Sequence, residues 1–297
     1  MTAPPNMSSA AAPLRAAVES LTGTSVLAMT VVRGGDFAAA YRVELVDGTT
    51  LFVKTHPAPP PGFFTTEAAG LAWLRSAGAV SVPEVLVASD GTTNNAVALL
   101  VMEWIDQGHP CEATQHDFGR DLARLHGAGA PCFGRTDRRT TGSRALPNEP
   151  GATWSAFYAA NRLLPLARLA ADSKALPVPT IVRLERLAEG LDAYDDGEPP
   201  ARLHGDLWAG NQLVDTTGRN WLVDPAAHGG HREFDLAMMR LFGGFGEACF
   251  GAYTDEHPLL AGWQDRVALH QIAPLVVHAI KFGGHYVDAA IAAISQY

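Results

Sequence analysis

The period of the sequence changes near residue 105, and that change limits the folds open to the chain. Before it, strand-length runs of alternating and β-branched residues recur. After it, apolar residues fall at helical spacing. Val26–Val32, Ala39–Val46 and Thr50–Thr55 read as a β-meander, with Val82–Ala88 and Ala96–Met102 as two further strands. The spacing predicts a helix over Leu14–Leu21. A second helix, carrying Glu67, Leu71 and Leu74, is expected after the Pro-rich loop 57–61, with Thr65 or Thr66 as its N-cap. Beyond residue 105, helices are predicted over His116–His126, Trp154–Ala170 with a break at Pro165, Ile181–Leu191, Asp235–Phe242, Val267–Ile280 and Tyr286–Ile294. Strands segregated from helices mark an α+β chain in two lobes. The expected division is a flexible tail over 1–13, an N-terminal lobe over 14–103 and a C-terminal lobe over 104–297.

Within the helical half lies a short exception. His204-Gly205-Asp206-Leu207-Trp208-Ala209-Gly210-Asn211 precedes the apolar run Gln212–Val214, the turn-forming cluster Thr216–Asn220 and a second run, Trp221–Val223, which ends at Asp224. A hairpin here places Asn211 at the start of one strand beside Asp224 at the end of its neighbour. Any one of Asp206, Asn211 and Asp224 alone would be an ordinary turn or cap residue. Together, in this order, they supply what phosphoryl transfer needs: a carboxylate to accept a hydroxyl proton, and an amide with a second carboxylate to hold magnesium.

The net charge of −9 argues against a nucleic-acid partner, which selects basic faces. Hydrophobic residues make up 47% of the chain and charged residues 18%, which provides for a sizeable core. Cys111, Cys132 and Cys249 are widely spaced and odd in number, which suits a reducing cytoplasm. No apolar run has membrane-spanning length, and the polar, Pro-rich start lacks the apolar block of a signal peptide.

These residues resemble the protein-kinase-like superfamily of small-molecule kinases. The resemblance rests on Lys54, Glu67, His204-Gly205-Asp206, Asn211 and Asp224. It implies a two-lobed fold with an antiparallel N-terminal sheet and helix, and a mainly helical C-terminal lobe bearing a catalytic hairpin. Asp206 would be the base, and Asn211 and Asp224 the magnesium ligands. Lys54, paired with Glu67, would contact the ATP phosphates, although Glu67 in a first helical turn can also simply complement the helix dipole. Gly34 and Gly35 would approach the phosphates, and the backbone at Met102, Glu103 and Trp104 would meet the adenine edge. His204 and Asp235 would support the loop.

Longer strings are similar to the fructosamine kinase (ketosamine-3-kinase) family: His-Gly-Asp-Leu-Trp-Ala-Gly-Asn with Trp208, Gly230-His231-Arg232-Glu233-Phe234-Asp235-Leu236-Ala237-Met238, and Trp154-Ser155-Ala156-Phe157-Tyr158. This resemblance implies ATP- and Mg2+-dependent phosphorylation of the 3-hydroxyl of a ketosamine, as a small adduct or on a glycated protein, by a cytoplasmic enzyme favoured as a monomer. Trp208 would meet the sugar or pack under the loop; His231 and Glu233 would line the acceptor side or hold the loop together. Gly34-Gly35-Asp36-Phe37 lacks the cysteine that many eukaryotic members carry there, so redox control is not expected. Two other readings remain: an aminoglycoside- or choline-type kinase of the same fold, and a pseudokinase that binds nucleotide without transfer. The second conflicts with the retention of Lys54, Asp206 and Asp224.

Overall fold

The computed structural model describes residues 7–33, 38–91, 97–141 and 146–297. It divides into two compact units. The first takes the chain up to Ala72 and from Pro83 to Asp106; the second takes Trp73–Val82 and Gln107–Tyr297. Trp73–Val82 therefore groups with the second unit rather than the first. Its side chains and backbone explain this. The guanidinium groups of Arg135 and Arg202 lie 4.6 and 4.7 Å from the centre of the Trp73 ring, and Ser81 O accepts from Leu222 N–H at 2.9 Å.

In the first unit, helix α1 (Met7–Thr22) starts earlier than expected, which shortens the tail foreseen over 1–13. Strands β1 (Val26–Val32), β2 (Ala39–Leu45) and β3 (Thr50–Thr55) form the meander. Helix α2 (Phe63–Arg75), β4 (Val85–Ser89) and β5 (Leu99–Glu103) follow. The five strands are antiparallel in the order β1-β2-β3-β5-β4. Tyr41 pairs in register with Val53, and Val53 with Val101, and this face packs with Leu14 and Val18 of α1 into one core. Alternate residues point the other way, so Arg42, Phe52, Lys54 and Met102 share the opposite face. The N-terminus of α2 is capped from a distance: Asp90 accepts from Phe64 N–H, Thr65 N–H and the Thr65 hydroxyl at 2.7, 3.3 and 2.6 Å. Neither Thr65 nor Thr66 is the cap, because the helix already begins at Phe63.

The second unit contains α3 (Glu112–Gly127), α4 (Trp154–Tyr158), a π-helical turn (Ala159–Leu163), α5 (Leu164–Asp172), α6 (Val178–Glu189), β6 (Ala201–Leu203), β7 (Gln212–Val214), β8 (Asn220–Leu222), β9 (His228–Gly230), α7 (Glu233–Phe242), α8 (Glu247–Glu256), α9 (Trp263–Phe282) and α10 (His285–Ile294). Pro165 does not break the helix at its own position. It lies in the first turn of α5 and has no N–H to give Asn161 O. The chain widens just before it, with Leu164 N–H reaching Ala159 O, and Arg162 Nη1 donates to the orphaned Asn161 O at 2.9 Å. Pro274 leaves a similar gap in α9, where the Tyr158 hydroxyl donates to Leu269 O and His270 O at 3.2 and 3.4 Å.

Helix α8 was not foreseen. Its signal is Cys249, Ala252 and Tyr253, buried at helical spacing. It packs on α3 at Gly119, where a Cβ would stand 2.1 Å from Cys249 O. Gly119→Ala is therefore expected to force the two helices apart at a cost of about 1–3 kcal/mol. Gly251→Ala, in open space on α8, is expected to be neutral or stabilising. Thermal unfolding of the two variants checks both outcomes.

Candidate active site

The hairpin β7–β8 pairs Gln212 with Leu222 and Val214 with Asn220, and β6 pairs with β9 from Ala201↔Gly230 to Leu203↔His228. The segment His204–Asn211 leaves β6 and enters β7. Its backbone is fixed by Asp235 of α7, which is wholly buried. Asp235 Oδ2 accepts from His204 N–H at 2.7 Å and Oδ1 from Gly205 N–H at 2.9 Å. His126 Nε2 reaches Asp235 Oδ2 at 3.3 Å, and its Nδ1 faces the Tyr253 hydroxyl at 2.8 Å. Burial would raise the Asp235 pKa, but the bonds from His126 and the loop amides outweigh it and hold the carboxyl below its usual range.

His204 adds a second stitch. Its Nδ1 accepts from Asp206 N–H at 3.3 Å, so Nε2 carries the proton and donates to Val223 O at 2.9 Å. The neutral ring thus binds the Asp206 turn to the residue before Asp224. Asn211 closes the arrangement. Its Nδ2 donates to Asp206 O at 2.8 Å and Asp206 Oδ2 at 3.3 Å, while its O accepts from Val223 N–H at 3.0 Å. Asp224 follows in a left-handed conformation, φ 55°, which non-glycine residues adopt at a cost. Burial and the neighbouring Asp224 charge push Asp206 up to about 7. The donor set of Asn211 and Asp224 is carboxamide and carboxylate oxygen, which fits a hard cation such as Mg2+.

In the first unit, Lys54 Nζ lies 2.8 Å from Glu67 Oε1, with both side chains largely buried. Glu67 is the fifth residue of α2, so it is past the first turn and the dipole alone does not account for it. Phe52 shares the Lys54 face, its ring 6.3 Å from that of Trp104, and Arg42 approaches Trp104 at 5.4 Å. Sequence reasoning missed Phe52 and Arg42; the period-2 relation to Lys54 is the signal for them. Met102 is buried, and Glu103 pairs through its backbone and carboxylate with Glu84. Gly34 and Gly35 lie outside the described residues.

Trp208 is not a core residue: it is 44% exposed, and its indole lies across Gly210, where a Cβ would meet ring atoms at 2.2–2.6 Å. His231 and Glu233 do not line an open acceptor surface. They are 2% and 1% exposed, and their polar atoms face protein partners. His231 Nε2 is 3.0 Å from Asp196 Oδ1, and Glu233 forms a two-point ion pair with Arg266 and lies 3.5 Å from His270 Nε2. Arg266 also reaches Asp196 at 2.8 Å, and Arg232 clamps Glu198 with two bonds. Candidate ligand atoms of His231, Glu233 and His270 lie within 4.8 Å of one another, but the Arg266 guanidinium already serves as the cation there. Asp196, Glu198, Arg266 and His270 were missed in sequence; the acidic run Asp195-Asp196-Gly197-Glu198 was the available signal.

A five-stranded antiparallel unit carrying a lysine–glutamate pair, joined in sequence to a helical unit carrying this loop, defines a protein-kinase-like phosphotransferase. The chain aligns at TM-score 0.65 with an aminoglycoside phosphotransferase, APH(4)-Ia, at 16% identity, which shows the fold alone. The family model "Fructosamine kinase" matches residues 11–297, and the chain belongs to that family. A "Probable ketoamine kinase" of Enterococcus faecium is 36% identical over 86% of this chain and 90% of its own. The "Protein-ribulosamine 3-kinase, chloroplastic" of Arabidopsis thaliana is 31% identical over 92% of this chain and 83% of its own. A crystal structure from Thermobifida fusca, described as a "putative fructosamine-3-kinase", superposes at TM-score 0.86 with 41% identity, over 95% of this chain and 97% of its own.

Asp235→Ala would strip two loop amides and His126 of their acceptor. The expected loss is about 3 kcal/mol or more, read as a lower denaturation midpoint in urea. An unchanged midpoint would show that the loop does not depend on Asp235.

Proposed function

We propose that the protein is an ATP-dependent kinase of ketosamines that phosphorylates the sugar 3-hydroxyl and so promotes deglycation. The observation that carries the reading is the Asp206–Asn211–Asp224 arrangement in a chain matched by the fructosamine kinase model over residues 11–297. The relatives' names, ketoamine kinase and ribulosamine 3-kinase, support the acceptor class.

Asp206 accepts the proton of the acceptor hydroxyl. The oxygen attacks the γ-phosphorus, the bond to the β-phosphate oxygen breaks, and ADP leaves. Asn211 and Asp224 would hold Mg2+, which supplies charge neutralisation at the phosphates when bound. Lys54, fixed by Glu67, orients the phosphates, and the backbone at Met102–Trp104 meets the adenine edge. Trp208 offers an exposed apolar ring suited to the C–H face of a sugar. Gly210 keeps that ring flat on the loop. His231 and Glu233 hold their segment together through the buried charge cluster. No helix among the described residues is long and apolar enough to cross a membrane. Cys111, Cys132 and Cys249 are unpaired, which supports a cytoplasmic setting.

ADP release is the assay, with ribulosamines and fructosamines set against aminoglycosides and choline. Turnover on an aminoglycoside with none on ketosamines would overturn the reading. Asp206→Asn is expected to reduce transfer by about 10²–10⁴-fold while retaining ATP binding.

A protonated Asp206 cannot accept the hydroxyl proton, and its pKa stands near 7. The kcat/KM profile for the acceptor is therefore expected to climb from about pH 6 to about pH 8. A flat profile across that range would contradict Asp206 as the base.

A further inference from the structure

A cleft of about 170 Å³ opens in the helical unit beside the catalytic loop, and the reaction as described gives it no occupant. Phe118, Phe245 and Leu213 line it with apolar surface, and Gln107, Gln115 and Gln212 line it with carboxamides. Among the described residues that line it, none has an ionisable side chain. That volume far exceeds the ~30 Å³ share of one water in the liquid, so the cleft can take an organic group. An apolar lining with a few neutral polar groups selects an uncharged one, because a charged group would lose its hydration there without a partner.

The cleft is built onto the loop itself. Ala209 lines it, between the proposed base Asp206 and the proposed metal ligand Asn211, and Gln212 and Leu213 continue the lining into β7. One wall is Gly243-Gly244-Phe245-Gly246, the segment between α7 and α8. Gly243 and Gly244 have positive φ, and Gly244 lies so close to Ala209 that a Cβ would stand 2.4 Å from the alanine Cβ. Gln115 of α3 accepts from Gly246 N–H, and the half-buried Phe245 ring stacks on the buried Phe118 with centroids 5.6 Å apart. A second wall is the segment that enters α3, held to β7 by Gly108 N–H donating to Val214 O at 2.8 Å.

We propose that this cleft receives the substituent on the ketosamine nitrogen, that the substituent it takes is uncharged and apolar, and that Phe245 sets this preference. The inference rests on the ketosamine reading above and narrows its acceptor class. The chemistry of the acceptor leads there. A ketosamine carries its nitrogen on C1 and the reacting hydroxyl on C3, so a hydroxyl held at Asp206 brings the nitrogen and its substituent to the loop as well. With the sugar on the exposed indole of Trp208, the next residue, Ala209, already lines the cleft. The cationic nitrogen stays at the mouth, and an alkyl or aryl group enters against the Phe245 ring. A substituent ending in a carboxylate or an ammonium would leave that charge unpaired.

The test uses three acceptors with one sugar: the ribulosamines of methylamine, butylamine and 1,4-diaminobutane. For the wild-type protein, kcat/KM is expected to be about tenfold higher for the butyl adduct than for the methyl one, and the aminobutyl adduct is expected to lose that gain. In Phe245→Ala the butyl-to-methyl ratio should fall to about two, and Phe245→Leu should keep most of it. A purely structural Phe245 would lower all three acceptors alike and leave the ratio unchanged. Gln107→Glu, at an exposed position, tests the cleft without disturbing its wall and should raise the aminobutyl adduct toward the butyl one. Equal kcat/KM for the methyl and butyl adducts in the wild type, a ratio that survives Phe245→Ala, or an aminobutyl-to-butyl ratio unmoved by Gln107→Glu would overturn the inference and leave the ketosamine reading standing. So would a raised KM for ATP in Phe245→Ala with the acceptor ratio intact, which would assign the cleft to the nucleotide. Turnover of none of the three would remove both.

Discussion

The buried carboxylate of Asp235 is the contact on which the catalytic geometry hangs. A loop that must present a base and a metal ligand cannot satisfy its own backbone as a helix or strand would. Two of its amides, those of His204 and Gly205, turn inward instead and need an acceptor. An ionised carboxylate is the strongest acceptor available, but it carries a desolvation cost that is offset only when several donors meet it. Here the donors are the two amides and His126, whose far nitrogen is held by Tyr253 of α8. The loop is thus anchored to α7 directly and to α3 and α8 through one histidine. The close α3–α8 approach at Gly119 belongs to the same support.

His204 extends that anchor to the second half of the site. A neutral imidazole has one donor and one acceptor, and both are used, between Asp206 N–H and Val223 O. Burial keeps the ring's pKa below its usual value, so this tautomer is maintained. The consequence is chemical. Asp206 and Asp224 are held as near neighbours although they repel, and that repulsion, added to burial, raises Asp206 toward the pH at which a base is most useful. The strained backbone of Asp224 persists because Asn211 and His204 both fix the residue before it.

Much of this was legible in the sequence because it is local. The alternating runs pointed to the meander, and the Asp206-to-Asn211 spacing with a turn cluster pointed to the hairpin. What was missed depends on partners far apart in the chain. Asp90 caps α2 across more than twenty residues, and helix position alone suggested Thr65 or Thr66. The widening before Pro165 depends on where the orphaned carbonyl finds a donor, and Arg162 supplies it. Helix α8 contains Gly251 and offers only Cys249, Ala252 and Tyr253 at helical spacing, and these are buried where α8 packs on α3.

The string from His231 to Asp235 marks the family, yet its side chains do not face an acceptor. Three carboxylates, Asp196, Glu198 and Glu233, are set against two guanidinium groups, Arg232 and Arg266, with His231 and His270 between them. Burial would raise Glu233, but the nearby His270 ring and the two-point pair with Arg266 bring it down to about 2, so it stays charged and tightly held. A cluster of this kind tolerates little substitution, because removing one partner strands the others in a dry interior. Such a motif identifies the fold's foundations and says little about the hydroxyl being phosphorylated. Discrimination among acceptors must come from side chains that solvent and substrate can reach. In this half of the molecule the exposed ring of Trp208 on the loop meets that condition, and its apolar face suits the C–H face of a sugar.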